Sequence, residues 1–147
     1  MIITNESLLR VKCEPVLSSE VDDLRLKLEN ELEWSKKNGR AGVGLACPQI
    51  GIAKEMAIIR IDDFKLDLVN AKIIKRYYQF EFDGEGCLSF PDRYERTLRY
   101  KEIVVEGNLV QPFRFIVTGF VAVIIQHELN HLEGILLPDI AIGSRSV

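Results

Sequence analysis

Histidine is almost absent from this sequence: 2 of 147 residues, beside 1 tryptophan, 5 prolines and 3 cysteines. Cys13, Cys47 and Cys87 are too few and too widely spaced for a disulfide framework, so at least one thiol is free and a reducing compartment is expected. Neither sign of charge dominates. The formal net charge is -3, and lysine and arginine are scattered, which leaves no footprint for nucleic acid or an anionic membrane. Long hydrophobic runs are missing too. The stretches from Met56 to Ile61 and from Phe115 to Ile125 are too short or too interrupted to cross a bilayer as a helix. Polar Asn5 and Glu6 follow Met1–Thr4 directly, with neither the basic start nor the apolar segment of a secretory leader. These absences point to a cytoplasmic protein, away from membranes, that acts on a small or peptidic substrate.

What the chain does contain is apolar material for one core: 47% of its residues are hydrophobic, with no repeat and no linker-like stretch, so residues 1–147 read as a single domain. Val21, Leu24, Leu28 and Leu32 follow helical spacing, with Ser19 as the expected cap, Lys36 and Lys37 in the last turn and Gly39 as the stop. Arg40 to Gly51 reads as irregular and glycine-rich. Strand-like runs follow at Met56–Ile61, Leu66–Ile74, Tyr77–Phe82, Ile103–Val105 and Phe113–Val117. Phe120 to Leu132, behind a cap region at Thr118 and Gly119, is apolar nearly all round and ends at Gly134. Such a helix belongs in the middle of a domain. The expected fold class is α+β, with mostly antiparallel strands around a buried central helix.

That helix carries both histidines. In His127-Glu128-Leu129-Asn130-His131 the imidazoles stand one helical turn apart on one face, so both can reach one ion, and Glu128 on the adjacent face can reach a water without being a ligand. Two satisfied core histidines are the plainer alternative, but each would need its own polar partner on an otherwise apolar helix. Hydrolytic zinc or iron sites usually take a third protein ligand and leave one position open. Glu133 and Asp139 are the only carboxylates downstream, and Glu133 points elsewhere on the helix. Upstream lies Glu85-Gly86-Cys87-Leu88-Ser89, whose cysteine by itself would be read as an inert buried thiol.

With these motifs the sequence resembles the peptide deformylases. The family's three signatures occur here in order: Gly42-Val43-Gly44-Leu45-Ala46-Cys47-Pro48-Gln49, then Glu85 to Ser89, then Gln126 to His131. The likeness extends to Leu9-Arg10, Pro15-Val16, Val69-Asn70 and His131-Leu132-Glu133-Gly134. It implies that Cys87, His127 and His131 bind one divalent ion, Fe2+ by family habit, with Ni2+, Co2+ or Zn2+ able to substitute. It implies that this ion acidifies a water and polarises a formyl oxygen, while Glu128 takes a proton and returns it to the leaving amine. Gln49, by its side-chain amide, and Leu88, by its backbone N–H, match the family's oxyanion donors. The implied substrates are N-formylmethionyl peptides. Val43, Gly44 and Gly86 would pair with the extended peptide, and Phe120, Val123 and Ile124 would receive the methionine side chain. Glu85 and Arg99 match an ion pair bracing the cysteine loop.

Departures from the pattern are Asn130, where many members have aspartate, Cys47 in place of alanine, and Ala71 in place of a proline. Asp139 to Val147 is shorter than the C-terminal helix with which longer members engage the ribosome. A trimmed form, as in some viruses of bacteria, with at most transient ribosome contact, is the expectation. Two rivals differ in class. A zinc endopeptidase shares the helical motif but needs a later His or Glu ligand that is not suitably placed. An inactive relative that only binds formylated peptides would have no use for Gln49 and Glu128.

Overall fold

The computed structural model describes residues 1–144. A short helix α1 (Glu6–Leu9), capped by the Asn5 side chain, precedes the long helix α2 (Val21–Lys37). Ser19 does not cap α2. It lies in a 3-10 turn, Ser18–Glu20, where the Glu20 carboxylate instead accepts the Leu17 N–H at 2.9 Å. The glycine-rich segment is more regular than its composition suggests, for it contains strand β1 (Gly44–Ala46) and a 3-10 turn (Cys47–Ile50).

Strands β2 (Met56–Ile61) and β3 (Phe64–Val69) join β1 in an antiparallel sheet of order β1-β2-β3. The run expected from Leu66 to Ile74 is broken at Asn70, which adopts φ 52. Asn70 has a reason to be there: its side chain accepts the Val16 N–H at 2.7 Å and donates to the Val16 carbonyl at 2.9 Å, so it pins the N-terminal segment as a paired strand would. Beyond it, β4 (Ala71–Cys87), β5 (Phe90–Asn108) and β6 (Pro112–Thr118) form the second sheet, in which β5 also pairs with β7 (Ala141–Ser144). The runs expected at Tyr77–Phe82 and Ile103–Val105 are parts of β4 and β5. Helix α3 (Gly119–Leu132) and a short helix α4 (Leu137–Ile140) stand between β6 and β7. Thr118 occupies the cap position of α3 without a side-chain bond.

These elements stack in layers around α3. Ala122, Ile125, Leu129 and Leu132 of α3 pack against Ala57 and Ile59 of β2 on one side and Ile103 and Val105 of β5 on the other. Met56 and Ile58, alternating with Ala57 and Ile59, face the opposite side of the first sheet, where Leu24, Leu28 and Leu32 of α2 cover them. This explains why Met56–Ile59 is a continuous apolar run: the strand is buried on both faces. The fold is therefore α+β, built from antiparallel sheets with the motif-bearing helix at the centre.

Candidate metal centre and cleft

α3 presents His127 and His131 on one face, with ring centroids 5.0 Å apart. The end of β4 brings Cys87 to them. The ligand atoms of Cys87, His127 and His131 lie within 4.8 Å of one another, and Cys87 Sγ is 3.3 Å from His131 Nε2. The donor set of one thiol and two imidazoles suits a divalent transition metal in a tetrahedral site with one open position.

Glu85 fixes the first imidazole. Its Oε2 lies 2.7 Å from His127 Nδ1, which leaves the other ring nitrogen to face the thiol. Strand geometry explains how a charged residue gets there. Phe80 and Phe82 share the face of β4 that looks toward α3, so strict alternation would turn Glu85 outward. A bulge at Gly84, at φ 89, shifts the parity and sends Glu85 inward. There it meets Arg99 in two-pronged contact, Nε to Oε1 at 2.8 Å and Nη2 to Oε2 at 2.5 Å, with both side chains only 5% exposed. Thr97 Oγ1 donates to the same carboxylate at 2.8 Å, and the third guanidinium nitrogen donates to Asn130 Oδ1 at 2.7 Å.

Glu128 contrasts sharply with Glu85. It is buried, and its Oε1 has no hydrogen-bond partner among the described residues. Burial pushes its carboxyl up to about 7; the Glu85 charge adds to the rise, while His127 and Arg99 oppose it. A carboxyl poised near neutrality suits proton transfer in both directions. Burial likewise holds His131 well below the ordinary imidazole range, in the neutral form that binds metal. For His127 burial acts downward, but the Cys87 charge and the hydrogen bonds to Cys87 and Glu85 prevail and hold it raised.

The site opens into a cleft of about 350 Å³ whose two long walls are strand edges. β1 pairs only with β2, and β4 only with β5, among the described residues. In the β1 ladder the Val43 carbonyl accepts the Arg60 N–H at 2.7 Å, so by antiparallel alternation the N–H and C=O of Gly44 point away from β2, toward the cleft. A Cβ at Gly44 would fall 2.5 Å from Glu128 Oε2, so any side chain there would displace the Glu128 carboxylate. Gly86 lies on the facing edge of β4. Gln49 accepts the Ala46 N–H at 3.0 Å and turns its amide nitrogen to Ser89 Oγ at 3.0 Å and toward Cys87 Sγ at 3.6 Å. Leu88 is anchored by its carbonyl, which accepts from Arg40 Nη2 at 2.9 Å. Val43, Phe120, Val123 and Ile124 line the cleft together with Gly44, Gln49, Glu85, Gly86, Cys87, Leu88, His127 and Glu128; of the other candidate site residues, His131 meets them at Cys87 and Arg99 at Glu85.

Other contributors were not singled out. Ser89 closes the cysteine motif but had no assigned role, and Thr97 and the Glu85–His127 contact left no local signal, because their bonds join distant stretches of chain. Gln126 had no assigned role; its amide bonds both the N–H and the carbonyl of Tyr100, at 3.0 and 2.9 Å, and so locks α3 onto β5. The last three residues, part of the segment expected to be too short for a terminal helix, lie outside the described residues. The portion before them forms α4 and β7.

Comparison with known proteins agrees with this fold. The family model for polypeptide deformylase matches residues 1–145. A peptide deformylase of Syntrophomonas wolfei is 37% identical over 147 residues, covering 99% of this chain and 94% of the relative. Peptide deformylase 2 of Clostridium acetobutylicum is 34% identical over 140 residues, covering 94% of this chain and 91% of its own. The crystal structure of peptide deformylase from Thermotoga maritima superposes with a TM-score of 0.82 at 28% identity, covering 96% of each chain.

Proposed function

The chain belongs to the polypeptide deformylase family, and from that membership we propose how its own residues perform the reaction. Membership carries the activity itself: a metal-dependent hydrolase that removes the N-formyl group from nascent peptides. Cys87, His127 and His131 hold the ion, which the donor chemistry allows to be Fe2+, with Ni2+, Co2+ or Zn2+ as substitutes. When bound, the ion supplies Lewis-acid polarisation and lowers the pKa of water. Glu85, fixed by Arg99 and Thr97, orients His127 and keeps its proton on Nδ1.

Glu128 accepts the proton of the attacking water and passes it to the departing amine. Its Oε1 has no competing hydrogen bond among the described residues, which leaves it free for both transfers. The Gln49 amide and the Leu88 N–H donate to the oxygen that gains charge as the formyl carbon becomes tetrahedral. The peptide lies extended between β1 and β4, bonded through Gly44 and Gly86 beside Val43, and its first side chain rests on Phe120, Val123 and Ile124. Residues 1–147 act as one catalytic domain in the cytoplasm. Among the described residues no helix is long and apolar enough to cross a membrane.

The observation that carries this reading is the convergence of three ligand atoms beside a buried Glu128, whose Oε1 has no partner among the described residues, at the head of a two-edged cleft. The test is to purify the protein without air, measure its metal, and assay formate release from formyl-Met-Ala-Ser before and after peroxide. Stoichiometric metal and formate release are expected, with the iron form losing activity to peroxide and a nickel form surviving it. An iron enzyme indifferent to peroxide would remove Cys87 from the ligand set.

A further inference from the structure

The cleft does not end at the residues assigned to the first substrate side chain. Behind it lies a second apolar hollow of about 430 Å³, and Phe82, Phe120 and Val123 border both. The rings of Phe82 and Phe120 stack with centroids 6.1 Å apart and an interplanar angle of 23°, one from β4 and one from the first turn of α3. We propose that this stacked pair is a partition that limits the length of the first side chain the site accepts, the hollow behind it being ready to take the far end of a longer unbranched apolar chain. The inference rests on the assignment of the cleft to formylated peptides made above.

The two halves of the partition are not held alike. Phe82 is propped from behind by Phe80, edge-on at 6.3 Å, which in turn lies under the Lys101 ammonium, 5.7 Å from its ring centre. Phe120 is 52% exposed and contributes little to the core, so shortening it opens the wall without emptying the interior. Past the wall the space is bounded by Tyr78, Phe80 and the Thr118–Gly119 turn, with Lys101 and Glu102 also on its lining; most of the surface it offers is apolar and rewards buried methylenes.

The experiment is a chain-length profile of kcat/KM on formyl-Xaa-Ala-Ser peptides, in which Xaa is norleucine or its homologues longer by two and four methylenes. The wild-type enzyme should prefer norleucine and fall off beyond it. Phe120→Ala should reverse the order, gaining roughly fourfold per added methylene, the transfer value of one buried CH2, hence roughly sixteenfold for two. Phe120→Leu keeps an apolar side chain at the helix start and should give an intermediate profile, whereas Phe120→Trp should steepen the wild-type fall. Profiles of all three variants parallel to the wild type, with formyl-Met still hydrolysed, would overturn the partition alone. Absence of formate release from every peptide by the metal-loaded wild type would overturn the underlying assignment.

Discussion

Two buried carboxylates frame the metal centre, and the regions that hold them follow opposite rules. On the strand side, Glu85 is saturated: Arg99, Thr97 and His127 all bond to it. Although burial alone would raise its carboxyl, the hydrogen bonds and charges of Arg99 and His127 hold it well below the ordinary carboxylate range. On the helix side, Glu128 is as deeply buried, lacks a partner at Oε1 among the described residues and is raised toward neutrality. One carboxylate is locked as a permanent anion that positions a ligand, and the other is left able to change its protonation state. Separation of the two environments is what divides structural from chemical work here.

The contrast is broken most severely at Glu128. Glu128→Gln removes the titrating group but keeps the volume. Formate release should fall at least about a hundredfold while metal content stays stoichiometric. Loss of the metal from the purified variant would show Glu128 to be a ligand, whereas His127→Ala or His131→Ala is expected to empty the site.

On the strand side the damage should appear in stability. Arg99→Ala strands a carboxylate that is 5% exposed and should lower unfolding free energy by about 3–5 kcal/mol, with weaker metal retention. Combining Glu85→Ala with Arg99→Ala removes both charges and should cost less than the sum of the single changes. Strict additivity in denaturant unfolding would mean that the two residues are uncoupled.

The thiols sharpen the same lesson, since deeper burial separates Cys13 and Cys47 from Cys87. Burial pushes the Cys13 thiol up to about 11 and the Cys47 thiol up to about 12, so neither forms appreciable thiolate at pH 8. Metal-stripped, folded protein should take up one equivalent of iodoacetamide, at Cys87, and metal should protect it. Mass spectrometry locating the label on Cys13 or Cys47 would contradict the packing described for them.

How far these features could be read beforehand depended on whether they were local. The His127–His131 spacing and the apolar surround of α3 lie within one helical segment, and the cysteine pentapeptide is contiguous, so both were legible. The lengths of β4 and β5 were not. Much of β4 from Lys72 to Gln79 is solvent-exposed, so it lacks the in-out alternation that marks a strand, and bulges at Ile74 and Gly84 break its parity. The break at Asn70 was hidden for a different reason: its side chain pairs with Val16, 54 residues away. The sharing of Glu85 between Arg99 and His127 was equally out of reach, because charge balance in a buried cluster is a property of the folded arrangement.

Asn130 gives the smallest and most discriminating test of the strand-side network. The family pattern often has aspartate here, yet in this chain the neutral amide oxygen accepts the third guanidinium nitrogen of Arg99, at 2.7 Å. Arg99 already neutralises Glu85, so a second carboxylate would find that charge largely engaged and would lie at a half-buried position where water screens it. Asn130→Asp should therefore shift unfolding free energy by at most about 1 kcal/mol. Asn130→Ala, which deletes the acceptor of a charged donor, should cost about 1.5–3 kcal/mol. If Asn130→Asp instead proved as damaging as Arg99→Ala, Arg99 could not serve two carboxylates, and the amide in this chain would be a requirement of its network.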